Sequence, residues 1–303
     1  MKKLKVGVIG QGRSGHDIHN HIMSLLPEKY EIVAVSDLID DRRDLAVEEL
    51  KCDVYADYHS LLERSDLDLV VNATPSHLHP PVTIEALSAW HNVLCEMPAA
   101  RYLAYFDKMV DKAKETGKLL AFFQQSRFGP YFQQVRKVID SGVLGRIVMI
   151  KLAFNGYGRR WDWQTLQEFN GGNLLNTGPH PLDQALQLFG TDIMPNVMCI
   201  MDRANTFGDA EDHVKLLLTG KDRPTIDLEI SSCSVYTKNI YEVYGTRGGL
   251  AGNMSHIEWK YFKSEEMPER TVIREPIPNR QYCSEEIKWH EEVWDVPELE
   301  SNT

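Results

Sequence analysis

Near its start the chain runs Leu4-Lys5-Val6-Gly7-Val8-Ile9 and then Gly10-Gln11-Gly12-Arg13-Ser14-Gly15. This is an apolar, β-rich run, a glycine turn and the opening of a helix. A second apolar run, Ile32-Val33-Ala34-Val35-Ser36, ends on an acid, Asp37. Gly10 permits a tight turn, Gly12 lets backbone approach a pyrophosphate, and Gly15 lets the helix pack close to the strand. The helix N-terminus adds free N–H groups and partial positive charge. An ordinary glycine-rich turn is the competing account. The preceding strand, the following helix and the acid at the right distance weigh against it. The expectation is therefore a bound dinucleotide on a β-α-β unit, with Gln11, Arg13 and Ser14 counted in the turn that holds it.

Asp37 can accept hydrogen bonds from both hydroxyls of the adenosine ribose. A 2′-phosphate there would meet a like charge, so NAD is expected over NADP. Arg42 and Arg43 lie close in sequence and could rescue phosphate binding. The expectation for them is instead the solvated face of a helix.

The first 120 residues or so alternate between short β-rich runs and helical stretches. Strands are expected near 6–9, 32–36, 53–55, 67–72, 92–96 and 119–123. Helices are expected over 15–26, 41–51, 81–90 and 102–116, the third with proline in its first turn. Such alternation builds a doubly wound parallel sheet covered on both faces, an α/β fold. The rhythm then changes. A helix over 129–139, a strand over 147–154 and a glycine turn with helix over 171–189 precede a mostly β-like stretch. Within it, 214–218, 225–231 and 240–244 read as strands, and 245–252 as a glycine-rich turn. Strands without intervening helices predict a second α/β domain with a largely antiparallel open sheet. The boundary is placed near Gln124, giving domains 1–123 and 124–303. After Val272 the chain reads as polar and irregular, and short at its C-terminus.

Composition narrows the partners. A formal net charge of −11 argues against a nucleic-acid surface. Five cysteines, at 52, 95, 199, 233 and 283, form no CxxC pair or zinc pattern. That suits free thiols in a reducing, cytoplasmic setting. No apolar stretch approaches the length of a membrane span. Met1-Lys2-Lys3 leads straight into the glycine turn, and the expectation is a cytoplasmic N-terminus without a leader.

Ligands of an open parallel sheet sit beyond the carboxyl ends of its strands. Besides the glycine turn, two segments fall there: Ala73-Thr74-Pro75-Ser76-His77-Leu78-His79, and Glu96-Met97-Pro98. Ala73, Thr74, Pro75, His79, Glu96 and Met97 are the cofactor candidates. A His-x-His pair suggests a metal, but alternate residues of a loop seldom point the same way. Capping or a backbone hydrogen bond is the expected role of His77 and His79, and no metal is expected.

Gly10-x-Gly12-x-x-Gly15, Ala73-Thr74-Pro75-x-x-x-His79, Val93-Leu94-Cys95-Glu96-x-Pro98 and Gly171-Gly172-x-Leu174-Leu175-x-x-Gly178-x-His180-x-x-Asp183 occur in that order. Together, over residues 1 to about 250, they resemble the Gfo/Idh/MocA oxidoreductases, relatives of glucose–fructose oxidoreductase and inositol dehydrogenase. The resemblance implies an N-terminal Rossmann domain. It implies a second α/β domain whose open sheet forms a homo-oligomer interface. It also implies NAD(P)-dependent oxidation or reduction of a sugar, cyclitol or similar carbohydrate-like small molecule.

Two departures matter. The family's Glu-Lys-Pro lysine, which polarises the reacting hydroxyl or ketone, is replaced by Met97, and a thioether is neither proton donor nor cation. The family's aspartate four residues before its catalytic histidine is here Asn176, which hydrogen-bonds but takes no proton. His180 remains as the acid–base candidate, against the alternative of a buried, satisfied histidine. Substitutes for the lysine are sought in Tyr157-Gly158-Arg159-Arg160-Trp161-Asp162-Trp163. Arg159 or Arg160 can stabilise an alkoxide or bind a carboxylate, Tyr157 can relay a proton, and Trp161 and Trp163 can stack on a ring. A surface loop with packed tryptophans explains the same residues equally well. Arg127 is a further substrate candidate and Lys151 a remote one. Three functions follow as alternatives: an NAD-dependent oxidoreductase, a redox-elimination enzyme that cleaves glycosides with tightly held NAD, and an impaired protein that only binds NAD or sugar.

Overall fold

The computed structural model describes residues 2–277 and 282–297. The expected ending Glu298–Thr303 and the initial Met1 lie outside the described residues. The chain forms two compact units. The first comprises residues 1–124 with 161–179 and 208–210, and the second comprises 125–160, 180–207 and 211–303.

In the first unit, β1 (Leu4–Ile9) leads into a π-helical stretch Ser14–Asn20 and α1 (His21–Ser24). There follow β2 (Tyr30–Ser36), α2 (Asp40–Leu50), β3 (Asp53–Tyr55), α3 (Tyr58–Leu62) and β4 (Leu69–Asn72). Then come α4 (His79–Ser88), β5 (Val93–Cys95), α5 (Leu103–Thr116) and β6 (Leu120–Phe122). The sheet order is β3-β2-β1-β4-β5-β6, all parallel. The order reverses between β1 and β4, the switch point where such sheets open a ligand crevice. Apolar residues fill both faces. Ile9, Ala34, Val70 and Val93 pack with Leu61, Val82 and Leu87 on one side. Val6, Val8, Val35 and Val71 pack with Met23 and Ala46 on the other. Burial on both faces is why these strands read as continuous apolar runs.

The second unit opens with α6 (Pro130–Asp140) and β7 (Ile147–Asn155). Helix α7 (Asn173–Asn176) belongs to the first unit, and α8 (Pro179–Phe189) follows it. The remaining strands are β8 (Asn196–Asp202), β9 (His213–Thr219), β10 (Thr225–Ser231), β11 (Tyr241–Gly245), β12 (Gly248–Gly252), β13 (His256–Tyr261) and β14 (His290–Asp295). They form an eight-stranded sheet, β14-β13-β12-β11-β7-β10-β9-β8, in which only β7 and β10 run parallel. Alternation sets its faces. Val214, Leu216, Leu218, Ile226, Leu228 and Tyr241 are buried on one face, and Tyr241 donates to Gln184 Oε1 of α8 (2.6 Å). The other face carries Lys151, Lys215, Asp227, Glu229 and Glu242, linked as ion pairs.

Three expectations need correction. The helix after the glycine turn is π-helical over its first seven residues rather than regular. Gly248–Gly252 is a strand, because its glycines admit β13 at close range: a Cβ on Gly248 would strike Lys260 O, and one on Gly252 would strike His256 O. The stretch after Val272 contains β14, paired along its length with β13. No described helix is long and apolar enough to cross a membrane.

Candidate active site

The glycine turn is built by close approach. Gly10 has φ +95°, and a Cβ there would collide with Ala73 O at the end of β4. A Cβ on Gly15 would collide with Gly10 O. Gly12 differs: a Cβ there would meet nothing nearer than Arg42 Nη1, at 3.9 Å. Bare, uncrowded backbone at the second glycine is what a pyrophosphate requires. The residues present therefore fit a dinucleotide.

Side chains beneath the turn hold it in place. Gln11 is buried; its Nε2 donates to Gly10 O (3.1 Å) and its Oε1 accepts from Asn20 Nδ2 (2.6 Å). Arg13 is exposed, and Ser14 begins the π-helical stretch. Asp37 Oδ2 accepts from Gln11 N–H (2.7 Å) and Oδ1 from Ile39 N–H (2.9 Å). One carboxylate thus clamps the turn after β1 to the loop after β2. Arg42 and Arg43 do not form a purely solvated face. Arg42 Nη1 donates to Asp37 Oδ2 (3.4 Å), and Arg43 donates to Asp37 O (2.6 Å) and to Asp40 Oδ1.

At the end of β4, Thr74 Oγ1 donates to Asn72 Oδ1 (2.7 Å). Ala73 is buried and Pro75 exposed. His79 is buried with Nδ1 2.7 Å from Pro98 O and Nε2 2.8 Å from Thr74 O. It ties the loops after β4 and β5 together. A neutral ring donates to only one of these carbonyls, and burial, which the carbonyls oppose, lowers its pKa. His77 packs edge-on against Phe169. Its Nδ1 is buried with no hydrogen-bond partner, and burial lowers its pKa as well.

At the end of β5, Glu96 is buried and accepts from His19 Nε2–H (2.8 Å) and Met97 N–H (3.0 Å). Burial works to raise its pKa, but His19 and the backbone donor outweigh it and hold the carboxyl below the usual range. Sequence reasoning missed His19 and Asn20. Both lie at the end of the π-helical stretch Ser14–Asn20 and are buried there. Met97 is half-buried.

Residues 161–179 continue the first unit. Asn176 Nδ2 donates to Gln164 O (2.8 Å), while its Oδ1 is buried without a donor. Trp163 stands edge-on to Phe169 and Trp161 is exposed. In the second unit, His180 lies half-buried in the first turn of α8. Asp183, three residues on, shares its helix face. Arg127 grips Asp183 with two bonds, Nε to Oδ2 (3.0 Å) and Nη2 to Oδ1. Two of the five N–H donors of Arg127 are thus spent on Asp183, and Asp183 raises the Arg127 pKa further. Arg159 stacks on Phe207 (4.7 Å). Tyr157 and Arg160 are exposed. Lys151 lies on the open sheet face against Glu242 and Tyr244. Among the described residues, no group of three or more His, Cys, Asp or Glu is placed to hold a metal.

Comparison with known proteins adds to this geometry. Residues 4–124 match the model of an oxidoreductase family with an NAD-binding Rossmann fold, and residues 132–251 match the GFO/IDH/MocA C-terminal domain. The chain is 29% identical over 262 residues to 2,7-anhydro-N-acetylneuraminate hydratase of Mediterraneibacter gnavus, covering 84% of this chain and 68% of that protein. It is 28% identical over 169 residues to inositol 2-dehydrogenase of Salmonella typhimurium, covering 55% of this chain and 48% of that protein. The fold superposes on the crystal structure of the WlbA dehydrogenase from Bordetella pertussis in complex with NADH and UDP-GlcNAcA. The TM-score is 0.77 at 24% identity, covering 92% of this chain and 79% of that one.

Proposed function

The chain belongs to the GFO/IDH/MocA oxidoreductase family, and from that premise we propose that it oxidises or reduces an alcohol or ketone of a sugar, cyclitol or related polyol, with His180 as acid–base group. Bound NAD supplies the two-electron acceptor or donor. Gly10, Gln11, Gly12, Arg13, Ser14 and Gly15 hold its pyrophosphate and Asp37 its adenosine ribose. Ala73, Thr74, Pro75, His79, Glu96 and Met97 flank it at the ends of β4 and β5.

The observation that carries the proposal is the open, clamped glycine turn of the first unit; in the second unit, His180 shares a helix face with an anchored Asp183. The His180 imidazole takes the proton of an alcohol as it is oxidised and returns it when a ketone is reduced. Met97 can neither donate a proton nor offset charge, so its side chain shapes the site only sterically. Tyr157, Arg159, Arg160 and Trp163 supply substrate contacts, with Asn176 as a hydrogen-bonding group. Arg127 acts through Asp183 by holding it in place. His180→Ala is expected to lower kcat about a hundredfold or more while the NADH Kd, read by fluorescence, stays unchanged. An unchanged kcat would remove His180 from the chemistry.

The similarity to 2,7-anhydro-N-acetylneuraminate hydratase favours a second reading. Transient oxidation of the sugar would acidify a neighbouring C–H, a substituent would leave, and reduction would restore the cofactor. Product release that needs catalytic NAD yet accumulates no NADH distinguishes this reading from net oxidation. Release indifferent to NAD would end it. On either reading the protein is a cytoplasmic homo-oligomer that uses the open face of its second sheet.

A further inference from the structure

Within the first unit, α4, α5 and the 3-10 turn Gln167–Phe169 enclose a cavity of about 500 Å³. Small-molecule sites run from ~300 to 1,000 Å³. No residue assigned above to cofactor or substrate lines this cavity. Its walls differ in chemistry. On α4, Pro80 and Pro81 in the first turn and Ile84 one turn on supply apolar surface. On the α5 side, Tyr102 (57% exposed) and Tyr105 (48% exposed) supply two rings whose centroids lie 6.1 Å apart. Arg101 and Lys108 add a cation to each ring, at 5.3 Å from Tyr102 and 5.6 Å from Tyr105. Among the described residues neither cation is ion-paired. Arg101 gives one hydrogen bond, to Gln167 O (3.2 Å), and Lys108 gives none. The chain as a whole carries a net charge of −11, yet here two uncommitted cations share a cavity with a single acid, Glu168. His77 also lines it, and its Nδ1 is buried with no hydrogen-bond partner.

We propose that this cavity is a second ligand site, and that it takes a phosphate ester of a ring compound. Two cations suit a phosphate monoester, which carries about −1.5 to −2 charges near neutral pH, better than a carboxylate with one. The Arg101 guanidinium offers a planar fork of donors and Lys108 a mobile point charge. The tyrosine rings and the prolines of α4 give the ligand's ring flat apolar contact. A bare phosphate would use the cations and leave those walls empty. Glu168 accepts from a hydroxyl or N–H on the ring. A buried polar atom without a partner marks an unfilled hydrogen-bonding position, and a turn of the His77 ring brings Nδ1 to the same ligand. The site goes beyond the proposed redox activity and does not depend on it.

The test is calorimetric titration of phenyl phosphate, glucose 6-phosphate and inorganic phosphate into the whole protein in excess NADH, which keeps the esters from the glycine turn. Tyr105→Ala and Lys108→Ala are titrated beside the wild type; both side chains are exposed, so neither change removes core packing. At least one ring ester is expected to bind about tenfold or more tighter than inorganic phosphate. Lys108→Ala should weaken that ester about tenfold, and Tyr105→Ala about threefold or more. Tighter binding of phenyl phosphate identifies an aromatic ring as the occupant, and tighter binding of glucose 6-phosphate a sugar ring. Esters that bind no better than inorganic phosphate overturn the proposal. So does an ester affinity unchanged in Lys108→Ala, which would place the ester elsewhere on the protein.

Discussion

Glu96 is a buried carboxylate satisfied by His19 Nε2–H and Met97 N–H. Removing one partner of such a pair leaves the other buried and unpaired, at a cost of about 3 to 5 kcal/mol. Glu96→Ala should show that loss in denaturant titration at neutral pH. The pH dependence has a definite sign. The folded pKa of Glu96 is held below the ordinary 4.5, so its contribution is complete above that value and fades as pH falls through the folded pKa. The gap between wild type and Glu96→Ala should therefore narrow on acidification below about 4.5; a gap that widens there would contradict the assignment. The tight turn at Gly10 was legible in the sequence because it belongs to a local pattern. What Asp37 touches was not, since its backbone donor at Gln11 comes from another loop that the fold brings beside it.

The segment after the glycine turn shows how an element can hide behind its periodicity. A regular helix was expected there, yet Ser14–Asn20 is π-helical and ends with His19 and Asn20 both buried. The same stretch sets His16 between Asp17 (2.6 Å) and Glu49 (2.8 Å), tying this helix to the C-terminal end of α2. Hydrogen bonds to Asp17 and then Glu49 raise the His16 pKa above 6.5. Its contribution to stability is thus full below that value and lost as pH rises through the folded pKa. Urea midpoints for wild type and His16→Ala should differ most below pH 6.5 and converge in alkali. A difference that grows with pH would show that the bridge does not hold the two helices. Strand β12 was misread for a related reason: its glycines look like turn residues locally, and only β13 beside them explains why nothing larger fits.

The two sheets themselves were visible in the order of elements, because alternating strand and helix allows a parallel sheet and successive strands an antiparallel one. The edge strand β8 was less visible, and it bears on assembly. Val197, Met198, Ile200 and Met201 are each about half exposed on an unpaired sheet edge, an arrangement that invites a partner. Light scattering should find the wild type oligomeric, and a Met198→Lys/Ile200→Lys variant, altered on the open face, should shift toward monomer. A monomeric wild type at micromolar concentration would contradict the proposed interface. The proposed activity is redox chemistry on a carbohydrate-like alcohol with Met97 in place of a lysine. Absorbance at 340 nm after mixing the NAD-loaded protein with a panel of cyclitols, aldoses and uronic acids tests it most directly. At least one of them should reduce the bound cofactor, and His180→Ala should abolish that reduction; no absorbance change with any, despite tight NADH binding, would rule the activity out.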